Sequence, residues 1–109
     1  MKILFDQATP VPIRPYLKGH LVRTAAEQGW STLRNGDLLT AAEAAGFEVF
    51  LTTDRNLGYQ QNLTLRKIAI VVLSLQQWPK LRPHIQLVVD AVDGTKSASF
   101  IEVQIPTES

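Results

Sequence analysis

The chain contains no cysteine, which excludes disulfide bonds, thiolate metal ligands and a cysteine nucleophile. It has only two histidines, too few to favour a zinc site. No apolar run approaches the roughly 20 residues that a membrane-spanning helix needs. The chain has no basic segment followed by a long apolar run, which is the pattern of a signal peptide. We therefore expect a cytoplasmic protein that does not cross a membrane.

The chain also lacks a strong charge of either sign, since its net charge is only +1. A nucleic-acid-binding protein usually has a basic excess, so any basic surface on this protein must be local. Hydrophobic residues make up 45% of the 109 residues, a composition typical of a globular protein. A chain of this length suits one domain, and we expect residues 1–109 to form it.

Apolar runs alternate along the chain with segments of helical spacing. The predicted strands are residues 2–5, 20–23, 48–52, 67–73 and 99–105, and the predicted helices are 13–17, 24–28, 37–45, a turn within 57–65, and 78–92. Alternating strands and helices predict parallel β-α-β units, whose right-handed crossovers put helices on both faces of the sheet. We therefore expect an α/β fold with a central, mostly parallel sheet. Trp78 is expected to anchor the start of the last helix in the core.

Four acidic side chains stand where predicted elements begin or end. Asp6 directly follows the first strand, and Asp54 follows the third strand after two threonines. Ligands of open α/β sheets bind beyond the carboxyl ends of the strands, so Asp6 and Asp54 should arrive at the same edge. Asp37 opens a helix, and Glu27 stands just before Gly29. We expect all four carboxylates to gather at that edge.

Such a cluster has a specific chemistry, because carboxylates held close together repel one another and favour a shared cation. Oxygen ligands suit Mg²⁺ or Mn²⁺, and a bound divalent ion can activate water and stabilise charge on a phosphoryl oxygen. Most of these acids also have a purely structural interpretation. Asp37 suits a helix N-cap, Asp54 an Asx turn with Asn56, and Glu27 a solvated helix position. Asp6 is the hardest to explain in this way.

Several segments together resemble the small bacterial PIN-like proteins, which are grouped with the toxin ribonucleases of toxin–antitoxin pairs. The segments are residues 3–6, 20–29, 36–39 with 41–43, and 50–56. The resemblance covers nearly the whole chain and implies a three-layer α/β/α sandwich with a central, mostly parallel sheet. It also implies an endoribonuclease that depends on Mg²⁺ or Mn²⁺, acts on RNA and is the toxin of a type II pair. The implied partners are a small antitoxin protein and a second copy in a homodimer.

The resemblance also implies roles for individual residues. The catalytic residues would be Asp6, Glu27, Asp37 and Asp54. Asp6, Asp37 and Asp54 would be metal ligands, and Glu27 a ligand or a base that orients water. A nuclease needs cations near the scissile phosphate as well, and the candidates for substrate binding are Arg55, Asn56 and Arg34.

The chain departs from the PIN-like pattern directly after the first aspartate. Relatives often have asparagine or glutamate there, whereas this chain has Gln7 and Ala8. Ala8 has no side chain that could bind metal or substrate, which leaves a catalytically inactive PIN-like module that binds a protein partner as the alternative. A phosphoryl-receiving domain is a third hypothesis, because an aspartate after a first strand also occurs there. The lysine expected in such a domain is not evident after the strand 67–73.

Overall fold

Five parallel strands form one sheet in the computed structural model, which describes residues 1–57 and 66–106. The strands are β1 Lys2–Phe5, β2 Leu21–Thr24, β3 Val49–Thr52, β4 Ala69–Leu73 and β5 Phe100–Val103. Their spatial order is β2-β1-β3-β4-β5, and every neighbouring pair runs parallel. The predicted α/β class is confirmed. All strands of the described residues are parallel, where the sequence predicted that most of them would be.

The helices differ more from the prediction than the strands do. A 3₁₀ helix spans Val11–Tyr16, helix α1 spans Asn35–Ala44, α2 spans Trp78–Leu81, a second 3₁₀ helix spans Arg82–His84, and α3 spans Ile85–Asp93. Residues 25–29 form turns and no helix. The turn predicted within 57–65 falls almost entirely outside the described residues. None of the helices in the described ranges has the length and apolar character needed to cross a membrane.

Proline explains the two helical segments whose form was predicted wrongly. The segment 78–92 was expected to be one helix, but it contains a 3₁₀ helix around Pro83. Pro83 has no N–H to donate to the carbonyl of residue 79, so the α-helical hydrogen-bond pattern is interrupted there. The first helical segment, with Pro12 and Pro15, takes the tighter 3₁₀ form throughout.

Both faces of the sheet are buried, as expected of parallel strands that are covered on two sides. All five residues of β4 are buried. The hydrophobic cluster on one face joins α1 to the sheet, and Leu39 and Phe50 are fully buried in it. The cluster on the other face joins the first 3₁₀ helix and α3 to the sheet, and Phe5, Ile13 and Val88 are fully buried in it.

Helix α1 ends in a Schellman motif, which positions the chain for β3. The N–H of Phe47 donates to the carbonyl of Ala42 at 2.9 Å, and the N–H of Gly46 donates to the carbonyl of Glu43 at 3.1 Å. Gly46 has a φ of 84°. This left-handed conformation favours glycine, so the helix stops where the sequence predicts.

Candidate functional site

The strand order reverses direction between β1 and β3. The chain leaves β1 for β2 on one side, whereas β3 pairs with β1 on the other side. Such a reversal of direction is where open α/β sheets bind ligands. Asp6 directly follows β1, and its N–H donates to the carbonyl of Leu51 in β3 at 3.2 Å. Asp54 lies two residues beyond the end of β3. The sequence therefore predicts correctly that these two acids reach the same edge.

The Asp6 carboxylate holds the loop that follows β1. Its Oδ1 accepts hydrogen bonds from the N–H groups of Ala8 and Thr9, both at 3.1 Å, and from the Thr9 hydroxyl at 2.8 Å. The Thr9 hydroxyl also lies 2.9 Å from the carbonyl of Leu51, so its one proton is shared between two acceptors. Thr9 is only 3% exposed. Asp6 is thereby fixed in position relative to both strands.

Thr52 connects the Asp6 carboxylate to the backbone of Asp54. Its hydroxyl donates to Asp6 Oδ2 and accepts a hydrogen bond from the N–H of Asp54 at 3.0 Å. Thr52 is fully buried, so no water competes for its hydroxyl. Asp54 Oδ2 accepts from Asn35 Nδ2 at 2.8 Å, and Oδ1 accepts from the N–H of Asn56 at 3.0 Å, which is the Asx turn that the sequence allowed. One hydroxyl thus connects residues that follow two different strands.

Glu27 is engaged elsewhere. Its Oε1 lies 2.7 Å from Arg14 Nη2, and its Oε2 lies 3.2 Å from Arg14 Nη1. The N–H of Thr24 donates to Oε1 at 2.8 Å, and the N–H of Glu27 donates to the Thr24 hydroxyl at 3.1 Å. These reciprocal bonds have the form of a capping box. The Thr24 N–H, and after it the Arg14 guanidinium, lower the pKa of Glu27 below its ordinary value. Its contacts are those of a structural residue.

Asp37 does not cap helix α1, so its interpretation as an N-cap is wrong. The helix begins at Asn35 with Arg34 as its N-cap residue, and Asp37 lies within the first turn. An acid at this position interacts favourably with the helix dipole. Across residues 1–57 and 66–106, no group of three or more Asp, Glu, His or Cys side chains is arranged to hold a metal ion. The expected gathering of four carboxylates is therefore not found among these residues, and Asp6 and Asp54 remain as the two acids that follow neighbouring strands.

The candidates for substrate binding lie around this pair. Arg55 and Asn56 directly follow Asp54 and are exposed, and Arg34 is exposed at the start of α1. Among the described residues, the side chains of Arg34 and Arg55 have neither a hydrogen bond nor an ion pair. The side-chain amide of Gln7 donates to the carbonyl of Ser31.

Three residues of the site were missed at the level of sequence: Thr9, Thr52 and Asn35. The signal for Thr52 was present, because a threonine that ends an apolar run at the carboxyl edge of a sheet is placed to bond a neighbouring loop. Asn35 begins α1, and its side-chain amide donates to the Asp54 carboxylate.

Comparison of the chain with protein-family profiles, with curated proteins and with known structures finds no match. The resemblance to PIN-like proteins therefore stays a prediction from the four segments named above. A function for this chain has to rest on the chemistry of its own site.

Proposed function

We propose that the chain is a divalent-metal-dependent endoribonuclease whose site is the pair Asp6 and Asp54. The observation that supports this function is that the Thr52 hydroxyl connects the Asp6 carboxylate to the backbone N–H of Asp54. The two acids follow two separate strands and lie at the edge of the sheet where open α/β folds bind ligands. The implied substrate is RNA, as the resemblance to PIN-like proteins suggests.

The two carboxylates fit a hydrated Mg²⁺ or Mn²⁺ ion. An ionised carboxylate offers about four lone-pair sites in total. Asp54 accepts one described hydrogen bond on each oxygen, and Asp6 Oδ2 accepts one, so three oxygens keep a lone pair. Mg²⁺ is commonly held by one or two carboxylates, with water and substrate phosphate completing its shell. Two acids are therefore sufficient, without Glu27 or Asp37.

A bound ion would supply an activated water and would stabilise the charge that develops on the phosphoryl oxygen. The protein's own residues do the positioning. The N–H groups of Ala8 and Thr9 and the Thr52 hydroxyl hold the Asp6 carboxylate in one orientation, which is the preorganisation that such a site needs. Arg55 and Arg34 would neutralise the phosphates that flank the scissile bond.

Glu27 has a different part in this proposal. With Thr24 and Arg14 it fixes the turn that follows β2, the strand beside β1. It is a positioning residue and not a ligand. The role as a type II toxin, the small antitoxin partner and the homodimer rest on the resemblance alone and belong to the same proposal. The cytoplasmic location, which the sequence composition predicts, belongs to it as well.

Cleavage of RNA in the presence of Mg²⁺, Mn²⁺ or a chelator tests the function directly. We expect cleavage only with a divalent ion, and Asp6→Asn and Asp54→Asn should each abolish both cleavage and growth arrest on expression. The matched control is Asp90→Asn, an exposed acid that contacts Gln86 on α3. Cleavage with chelator, or unchanged toxicity of both aspartate variants, would refute the proposal.

Asp37→Asn then distinguishes two ligand sets. The resemblance includes Asp37 among the metal ligands, whereas the geometry supports the pair alone. Full cleavage by this variant supports the pair, and a loss comparable to that of Asp6→Asn supports the three-residue set.

The network around Asp6 also favours the alternative of a non-catalytic module that binds a protein partner. The four hydrogen bonds that Asp6 accepts are those of an aspartate that orders a loop, and Ala8 adds no ligand. Calorimetry with Mg²⁺ and Mn²⁺ separates the two functions. A module of this kind shows no specific heat of divalent binding, whereas the nuclease binds the ion and loses that binding in Asp54→Asn.

The strand order bears on the third hypothesis, a phosphoryl-receiving domain. The order β2-β1-β3-β4-β5 is that of flavodoxin-like doubly wound folds, which include phosphoryl receivers. No lysine directly follows β4 or β5, since Ser74 and Gln104 stand there. Incubation with acetyl phosphate gives the test, because a receiver forms an acid-labile aspartyl phosphate and a nuclease does not.

A further inference from the structure

Along the sequence, most of the Lys and Arg residues lie in stretches that contain no acidic residue. The net charge alone does not reveal this distribution. No acidic residue occurs between Asp6 and Glu27 or between Asp54 and Asp90. These two stretches contain eight of the eleven Lys and Arg residues of the chain. These stretches are therefore basic in sequence, although Arg14 and Arg66 are paired in the fold with Glu27 and Glu43. Clustered basic residues are the first mark of a nucleic-acid-binding surface.

The fold brings parts of both stretches together on one side of the sheet. The first 3₁₀ helix belongs to the first stretch, and α2 with most of α3 belongs to the second. Their buried residues Ile13, Leu81 and Val88 lie in the same hydrophobic cluster. The rings of Tyr16 and Trp78 are in contact across the two segments, with centroids 5.9 Å apart and planes tilted by 48°.

Tyr16 and Trp78 have different roles in this contact. Trp78 is half-buried and packs against the core, as its position before Pro79 suggested. Tyr16 is 39% exposed and lies on the outside of the pair. The result is an aromatic surface that is supported from below and open to solvent, which is the arrangement on which a nucleic-acid base stacks.

Exposed cations occur near Tyr16 and Trp78 along both segments. The N–H of Arg82 donates to the carbonyl of Trp78, so Arg82 lies one turn beyond Trp78 on the same side of the helical segment. Lys18 and Lys80 lie two residues after Tyr16 and Trp78 respectively, and both are exposed. In the part of the chain that the structure describes, none of these three side chains has an ion pair or a hydrogen bond.

We propose that these five residues, Tyr16, Lys18, Trp78, Lys80 and Arg82, bind single-stranded RNA, and we call them the aromatic–basic strip. A base stacks on Tyr16, and the three cations contact phosphates on either side of it. The strip takes a single strand because stacking requires a base whose face is open, which a duplex does not offer. The proposal deepens the proposed function and rests on it for the choice of RNA.

The position of the strip suits a substrate that also reaches the acid pair. The 3₁₀ helix begins five residues after Asp6, and α2 begins five residues after the end of β4. Both segments therefore leave the sheet at its carboxyl edge, where Asp6 and Asp54 lie. The strip extends the site with contacts that do not depend on a metal ion.

Binding of a fluorescent single-stranded oligouridylate, measured by anisotropy in EDTA at several salt concentrations, tests the strip apart from cleavage. For single strands, the slope of log K against log salt falls by about 0.7 for each phosphate that the protein no longer neutralises. The double variant Lys80→Gln with Arg82→Gln should therefore lower the slope by about 1.4. Lys96→Gln, at an exposed loop residue before β5, is a single-charge control and should leave the slope unchanged.

The ring contribution has its own variants. Tyr16→Leu should weaken binding about tenfold, since base–aromatic stacking contributes about 1–3 kcal/mol. Tyr16→Phe keeps the ring and should bind as the wild type does. Urea unfolding of each variant verifies that the fold is kept, and the charge variants are at exposed positions, so they remain informative if Tyr16→Leu is unstable.

Each result supports or overturns the strip. If Lys96→Gln lowers the slope by half as much as the Lys80, Arg82 double variant does, the charge that binds RNA is diffuse and there is no strip. Displacement of the RNA by polyglutamate, with full binding by Tyr16→Leu, would mean a surface for an acidic protein. Strip-dependent binding of RNA without cleavage under any metal condition would defeat the nuclease and leave the strip standing. Metal-dependent cleavage that no strip variant changes would refute the strip and support the nuclease.

Discussion

Replacing Thr52 by valine removes the hydroxyl that connects Asp6 to Asp54 while nearly preserving the shape of the side chain. The change removes a hydrogen bond to a charged carboxylate, which is worth about 1.5–3 kcal/mol. It also leaves the Asp54 N–H without the acceptor that it has at 3.0 Å. Thr52 is fully buried, so replacing the missing hydroxyl with a water molecule would itself cost free energy. We expect Thr52→Val to lower the free energy of unfolding by about 2–4 kcal/mol.

Urea denaturation at neutral pH measures this destabilisation, and an unchanged m-value would show that the unfolding reaction is otherwise the same. For a domain near 100 residues, the melting temperature should fall by roughly 10 °C. The matched control is Thr53→Val, the same chemical change one residue later, at a half-buried position. Within the described residues the Thr53 side chain makes no hydrogen bond, so we expect a change below about 0.5 kcal/mol.

A double-mutant cycle identifies the origin of the destabilisation. Thr52→Val and Asp6→Asn should be non-additive by about 1 kcal/mol or more, because each removes the same bond. Equal destabilisation by Thr52→Val and Thr53→Val, or full additivity with Asp6→Asn, would refute the bridge on which the acid pair depends.

Two further predictions concern stability away from the site. Burial raises the pKa of Glu43, but hydrogen bonds from the Lys67 N–H and the Arg66 guanidinium outweigh it and leave the pKa below the ordinary value of 4.5. The ionised Glu43 carboxylate therefore contributes its full stabilisation above pH 4.5, and this contribution disappears as the pH falls through the lowered pKa. Glu43→Gln should destabilise the protein at neutral pH and much less at about pH 3. Urea unfolding at the two pH values measures the difference. At Gly46, with a φ of 84° and open space around the site of a Cβ atom, Gly46→Ala should cost about 1 kcal/mol through backbone strain alone. Gly46→Asn should cost less, because asparagine tolerates this conformation, and equal stability of the alanine variant and the wild type in thermal melts would contradict the reasoning.

The sequence predicts every strand end to within two residues, because the apolar pattern of a strand is a local property of the sequence. The run at residues 69–73 is apolar at every position, and every one of them is buried. Such a run indicates a strand that is covered on both faces, which fits only a parallel sheet between helices. The interruption of the last helix at Pro83 was predictable in principle, since the missing N–H is a property of that residue alone.

Only part of the site could be predicted, because the residues that contact one another there are distant in sequence. That Asp6 and Asp54 reach one edge follows from parallel strands. The Arg14 guanidinium beside Glu27 does not follow from spacing, because the two residues meet only when the first 3₁₀ helix packs beside the turn after β2. The pattern of Thr24 and Glu27, three residues apart, did carry a local signal for a capping box, and that signal points to structure and not to catalysis.

The position of β1 in the middle of the sheet has a consequence for how the protein folds. Ile3 pairs with Val22 on one side and with Val49 on the other, forty-six residues along the chain. Pairings at such sequence separation close large loops before they gain any contact energy, which slows folding. The Thr52 bridge to Asp6 can form only after β3 has docked on β1. The two acids therefore come together in one of the later and more cooperative steps of folding. A partly folded chain contains both acids but not the site that they form together.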